Sequence, residues 1–430
     1  MNTVHITQDP TYLNVSGNPM VFVVSGSNVD EFQYQYVLDV RTFPDNTLRT
    51  RIKQFPNPNG VAVFDASHVV GDYIEHNVDD FTLTGIKSPL DSEYQRFQIL
   101  AGEEYGSSLS SSVTLYDGLG NVGAPAVSGS SVVNGVYSAW GGVIDMTPGK
   151  SGTNGWNWGD YFGTTNSYIL CSYPSYTLGP SPTNHKIGRS DYSLLPVLDG
   201  GTSLINSNTR VRIYDENNSL IQSSNLTNSL AGQYINYIPA GPQNFLDAGM
   251  FTQTQINNTR WYRIDNVATS AFNKSYTIED CNSNYERRNF IFLNKYGLWE
   301  SYGMNTPLRR TTTIARDEVK KPNIPYSSLT AVNSYGRKGI ESYNQMNQDN
   351  FIITTPFVRD EEAALIGEMI ESPQVYLQYN NLDMGLGVTI DKTFVPIVIT
   401  NSSYTHKTSR LQKAIQFDIQ YKLSNPRPNR

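Results

Sequence analysis

Gly118-Leu119-Gly120-Asn121-Val122-Gly123 has the G-x-G-x-x-G spacing of a turn that can cradle a dinucleotide pyrophosphate. That chemistry needs the last glycine to open a helix, so that backbone N–H groups and the helix dipole meet the phosphates. Ala124-Pro125-Ala126-Val127-Ser128-Gly129 follows instead and has no amphipathic period, so the segment reads as a glycine-rich loop. His5, His68, His76, His185 and His406 are scattered, without the carboxylate or cysteine spacing that would mark a metal site. Glu103 and Glu104 could serve as general acid and base only if they shared a face. Neighbours on a strand point to opposite sides, and the pair reads as solvent carboxylates. No serine stands in a nucleophile elbow between a strand and a helix. Cys171 and Cys281 make neither a disulfide framework nor a zinc spacing and read as two reduced thiols. No catalytic residue, cofactor site or metal-ligand set emerges, and the expectation is a protein that is not an enzyme.

Aromatic side chains offer a different chemistry. In Gly155-Trp156-Asn157-Trp158-Gly159, an extended backbone would put Trp156 and Trp158 on one face, with Tyr161 and Phe162 close behind. Indole rings among amide side chains can stack on pyranose rings. They can equally anchor a loop against its own sheet or a neighbouring subunit. Trp156, Trp158, Tyr161, Phe162 and Trp299 are therefore the candidate interface or glycan-stacking residues. Phe292 and Leu293, just ahead of Trp299, read as core.

The elements that must position such residues are mostly strands. Of 430 residues, 38% are hydrophobic and 12% aromatic, enough for packed cores, while only 17% are charged. Uncharged polar residues fill the difference, and tyrosine alone occurs 28 times. With 33 glycines and 22 prolines to make turns, this is the composition of a mainly β protein with long loops. Val21-Phe22-Val23-Val24 is an apolar run, and Tyr34, Tyr36, Leu38 and Val40 alternate with Gln35, Val37, Asp39 and Arg41 as in a half-buried strand. Leu48–Phe55, Val61–Phe64, Tyr94–Leu100, Val113–Tyr116, Tyr168–Cys171 and Thr209–Tyr214 also read as strands. Asp215-Glu216-Asn217-Asn218 reads as a hairpin turn. One helix is predicted near 360–371: Asp360 can cap it, Leu365, Ile366, Met369 and Ile370 form its apolar stripe, and Pro373 ends it. Phe394–Ile399 holds Pro396, which predicts an edge or a bulge. Ile415, Phe417, Ile419, Tyr421 and Leu423 give the clearest alternation in the chain.

This pattern predicts two or three β-sandwich-like domains: 1–90, 91–252 with a Gly/Ser/Trp-rich excursion over 107–163, and a C-terminal α+β domain over 253–430. The formal charge of −7 and the lack of a basic run disfavour nucleic-acid binding through a general basic surface. No apolar stretch is long enough to span a bilayer, and the first residues lack the basic and apolar regions of a signal peptide, so synthesis in a cytoplasm with no membrane association is expected.

A resemblance covers most of the chain. It is carried by Cys281-Asn282-Ser283-Asn284-Tyr285-Glu286-Arg287-Arg288 running into Phe290-Ile291-Phe292-Leu293-Asn294-Lys295-Tyr296-Gly297-Leu298-Trp299-Glu300, by Glu371-Ser372-Pro373-Gln374-Val375-Tyr376-Leu377, and by Val395–Tyr404. Asn18–Val23 and Ile238–Asn244 add to it. Together they resemble virion structural proteins of tailed bacteriophages of Bacteroidetes, including crAss-like phages. The resemblance implies a non-enzymatic virion component of tail, neck ring or baseplate, made in the host cytoplasm, without cofactor. Its partners would be other copies of itself and neighbouring virion proteins. The alternative is a receptor-binding or glycan-binding virion protein whose partner is a host-surface glycan.

Overall fold

The computed structural model describes residues 4–10, 13–87, 93–106, 115–116, 136–141, 167–169, 185–199, 209–226, 235–266, 273–279, 285–320, 340–358, 360–378, 394–401 and 415–424. The protein is mainly β, with several sheets consistent with sandwich-like domains. Contacts divide it into two compact units, Met1–Glu279 with Leu293–Ser301, and Asp280–Phe292 with Tyr302–Arg430.

The first unit begins with β1 (Val4–Gln8), β2 (Leu13–Val15), β3 (Val21–Gly26), β4 (Gln35–Thr42), β5 (Leu48–Gln54), β6 (Val61–Asp65), helix α1 (Ser67–Gly71), β7 (Tyr94–Glu104), β8 (Leu115–Tyr116) and β9 (Val136–Trp140). One sheet has the order β1-β3-β6 and the other β2-β9-β7-β4-β5, with β8 added on β7. Phe22 and Val24 of the first sheet and Tyr36, Leu38, Val40, Phe97 and Ile99 of the second share one apolar cluster, the core of a sandwich. Tyr137 meets Phe22 edge-on at 5.1 Å and stacks on Phe97 at 5.9 Å. Strand β4 departs from the half-buried expectation, because Val37 and Asp39 on its other face are also fully buried. Val37 packs with Leu100, and Asp39 is held by Arg41 at 2.8 Å and Arg51 at 2.6 Å.

A second pair of sheets follows: β10 (Ser167–Ile169), β11 (His185–Ile187), β12 (Leu194–Asp199), β13 (Thr209–Tyr214), β14 (Leu220–Asn225), β15 (Ile235–Pro239), α2 (Pro242–Asp247), α3 (Gln253–Asn258), β16 (Trp261–Asn266) and β17 (Asn273–Ile278). The orders are β10-β12-β15 and β11-β17-β16-β13-β14. Leu195, Val197 and Ile238 of the smaller sheet cluster with Val211, Ile213, Tyr262, Ile264 and Tyr276 of the larger, and Phe245 of α2 and Ile256 of α3 join them. The turn between β13 and β14 is the predicted one: Asn218 has φ 62°, and the Asp215 carboxylate accepts from the backbone N–H groups of Asn217 and Ser219 at 2.8 Å each.

The remaining elements are β18 (Arg288–Leu293), β19 (Trp299–Met304), β20 (Leu308–Lys320), β21 (Ile340–Thr354), α4 (Asp360–Glu371), β22 (Val375–Gln378), β23 (Phe394–Ile399) and β24 (Asp418–Leu423). They form a seven-stranded sheet in the order β19-β18-β22-β23-β24-β21-β20, in which the Leu293–Ser301 hairpin tip counts with the first unit. Helix α4 spans the predicted residues, with Leu365, Ile366 and Met369 fully buried and Ile370 only partly so. The alternation of Ile415, Phe417, Ile419 and Tyr421 is also realised, all four being buried.

Pro396 corrects an expectation. Strand β23 is neither an edge nor bulged there, for it runs between β22 and β24. The β23–β24 ladder ends at the pair Ile397–Leu423, and the Pro396 carbonyl accepts from the Ser424 N–H at 3.0 Å. The N–H that proline lacks therefore falls at the end of a ladder, where one bond is lost and no interior pair is broken.

Candidate functional site

Strands β20 and β21 form the longest ladder in the described structure, paired from Leu308–Ile353 out to Lys320–Ile340. Strand β24 covers β21 only between Asn350 and Thr354. Among the described residues, Ile340–Asp349 beyond that point pairs with β20 alone and β20 ends the sheet, so the distal half is a two-stranded ribbon. Nine residues of strand, Thr312 to Lys320, extend about 30 Å.

The base of this ribbon is tied to a core. Asp349, nearly buried, accepts from Arg310 at 2.7 Å and from the Thr312 hydroxyl at 2.6 Å. Arg310 lies 5.9 Å from the centre of the Phe351 ring, which stacks on Tyr421 at 5.2 Å. Tyr421 meets Phe290 edge-on at 5.7 Å, and burial pushes its phenol up to about 12.

The distal half carries a different set of side chains. Ile314, Val319, Ile340, Tyr343 and Met346 are exposed, from 40% at Val319 to 71% at Tyr343. Ile314 and Met346 lie on opposite faces, since Ile314 pairs with Asn347 and Met346 with Ala315. Charges nearly cancel along the ribbon, with Arg316 and Lys320 beside Asp317, Glu318 and Glu341, one carboxylate in excess. A bulge at Asp317–Glu318 leaves Tyr343 without an opposite residue. Isolated two-stranded ribbons are marginal in water, and an exposed edge offers unpaired N–H and C=O groups to another chain. Apolar side chains on both faces add area that a partner can bury. The arrangement thus offers a second chain both backbone pairing and apolar area.

Sequence reading missed this ribbon. Its exposed strand Arg309–Lys320 is rich in β-branched residues, Thr311, Thr312, Thr313, Ile314 and Val319, and that enrichment was the available signal. The residues chosen from sequence lie elsewhere. Trp156, Trp158, Tyr161 and Phe162 fall outside the described residues, as do Gly118–Gly123, Cys171 and Cys281. Trp299 is a correction: it is fully buried and offers no ring face to a sugar or a neighbour. Its indole N–H donates to Glu93 at 3.2 Å, and its ring meets His76 and Phe81 edge-on. A large ring with one polar handle satisfied inside the chain is core material.

Glu103 and Glu104 also differ from their expected role. They do point to opposite faces of β7, but neither is a free solvent carboxylate. Glu103 accepts from Asn28 and from the Tyr34 hydroxyl at 2.8 Å each, while Glu104 is buried beside Lys53 at 2.6 Å. Among the described residues, no group of three or more His, Cys, Asp or Glu side chains is placed to hold a metal ion. Neither a known family model nor a curated protein matches this chain.

Proposed function

We propose that the protein is a non-enzymatic structural component of a tailed-phage virion, in the tail, neck ring or baseplate, and that it assembles through contacts with its own copies and with neighbouring virion proteins. The β20–β21 ribbon carries this reading: a long, two-sided strand pair, anchored at its base and apolar at its exposed end, is a surface for burial against another subunit. Composition supports it, because interface cores favour aromatics and are poor in Lys and Glu. Symmetric assemblies repeat one interface around an axis, so a single such ribbon per chain suffices.

The test pairs the wild-type chain with an Ile314→Asp/Met346→Asp double variant, which puts a carboxylate on each face of the ribbon. Sedimentation of the purified proteins is expected to give an oligomer for the wild type and a folded monomer for the variant. A map of the particle is expected to show many copies around the tail axis. A wild-type chain that stays monomeric in solution and is missing from purified particles sinks the reading.

A further inference from the structure

From the outer face of the β11-β17-β16-β13-β14 sheet, we infer a binding site for a phosphate group, either free or carried on a sugar. Three cross-strand pairs of β13 and β16 share this face: Tyr214–Trp261, Arg212–Arg263 and Arg210–Asp265. The residues between them, Val211, Ile213, Tyr262 and Ile264, face the core. The outboard neighbours are Ser223 and Asn225 on β14 and Asn273, Ser275 and Thr277 on β17, with Lys186 of β11 beside Thr277. These neighbouring positions add no carboxylate. Among the described positions of this face three guanidiniums thus stand with a single carboxylate, in a chain whose formal charge is −7.

Asp265 is committed to the arginines and cannot balance them. Its carboxylate accepts from Arg210 at 2.9 Å and from Arg212, and lies 3.5 Å from Arg263 Nε. Like charges directly opposite each other on a sheet destabilise it, which makes the Arg212–Arg263 pair costly. The Arg212 Nε is buried without an acceptor, the Arg263 Nε has only the Asp265 oxygen 3.5 Å away and makes no hydrogen bond, and the Asn273 side-chain oxygen is buried without a donor. Departures of this kind from local consistency gather at functional sites.

The guanidinium side chains remain 23–34% exposed, so a ligand can reach their outer nitrogens. A guanidinium pair presents N–H groups in a planar fork suited to phosphate oxygens. Ser223 and Ser275, outboard of Arg212 and Arg263 in the same row, supply hydroxyls for the remaining lone pairs. The Tyr214–Trp261 stack, with ring centres 4.0 Å apart, walls one end.

Isothermal titration at constant ionic strength tests this with inorganic phosphate and glucose 6-phosphate as probes. Chloride serves as the competing anion and circular dichroism checks the fold of each variant. Wild type is expected to bind phosphate, Arg263→Gln to weaken it at least tenfold, and Arg263→Lys to restore part of the loss. Glucose 6-phosphate binding more tightly than inorganic phosphate assigns the site to a sugar-borne group, and equal binding assigns it to the phosphate alone. Phosphate heat no larger than that of chloride, or equal affinity in wild type and a folded Arg263→Gln protein, overturns the site.

Discussion

Buried polar residues do much of the specifying in this molecule, and Asn244 shows how. Its side chain is fully buried and meets four backbone groups: the amide donates to the carbonyls of Phe81 and Leu83, and the oxygen accepts from the N–H groups of Ser193 and Gly241. Asn244→Leu takes one partner from each of the four groups, the Gly241 N–H keeping only the Ser193 carbonyl at 3.1 Å, and Asn244→Asp turns a carboxylate toward two carbonyls. Each is expected to lower the urea-unfolding free energy by roughly 3–5 kcal/mol, the range for breaking a buried hydrogen-bond network. Gly241 beside it has no room for a side chain, because a Cβ would lie 2.4 Å from the Asp191 carbonyl oxygen. His76 gives a pH signature. Burial lowers its imidazole to about 4 from an unperturbed 6.5, and its Nδ1 is enclosed without a partner. The unfolded chain therefore takes up the proton first. Stability is full above pH 6.5, falls as the pH drops, and levels off below about 4. Urea titrations at pH 7 and pH 5 should differ by about 2 kcal/mol more in wild type than in His76→Gln. An equal pH 7 to pH 5 difference in both proteins would show that His76 is not the group responsible. Neither residue announced itself in sequence, since an isolated Asn or His carries no sign of what folds around it. For Trp299 the type was legible and the place was not: an indole suits a core as well as a surface, and only the Glu93 partner decides.

At the scale of elements, patterns that repeat were legible and those that do not were lost. The alternation from Ile415 to Tyr421 and the stripe of α4 each sample a period several times over and lie where they were expected, and β4 is the strand its alternation predicted although both of its faces are buried. Helices α2 and α3 are too short to show a 3.6-residue period. Only their starts carried signals: Pro242 in the first turn of α2, and a Thr252–Gln255 capping box at α3. The β20–β21 ribbon was hidden for another reason. Its distal strands face solvent on both sides, so no buried stripe was imposed on their sequence. That same exposure gives a kinetic prediction. With backbone pairing on one side only and no core beneath, amides of Thr312–Lys320 should exchange in minutes in the monomer, while those of Asn350–Thr354, held also by β24, stay protected far longer. Assembly should slow the distal set. Protection there that is already as high as at the base, in a proven monomer, would mean that this chain stabilises the ribbon by itself.

For the whole molecule, low charge density and a nearly balanced ribbon set how association answers to salt. Copies of formal charge −7 repel one another, and that repulsion is screened as salt rises. The ribbon's own charges nearly cancel, so the attraction resides in apolar area and strand pairing, which salt barely weakens. Association is then expected to strengthen slightly, by less than about threefold, between low and moderate salt, and sedimentation velocity at several sodium chloride concentrations measures it. The arginine face on β13 and β16 supplies the contrast, because phosphate held by exposed guanidiniums should be lost over the same range. If association were to collapse with added salt, ion pairs and not the ribbon's apolar side chains would be joining the copies. Ile314→Asp/Met346→Asp would then leave the oligomer intact, and the two measurements together separate a ribbon-driven assembly from a charge-driven one.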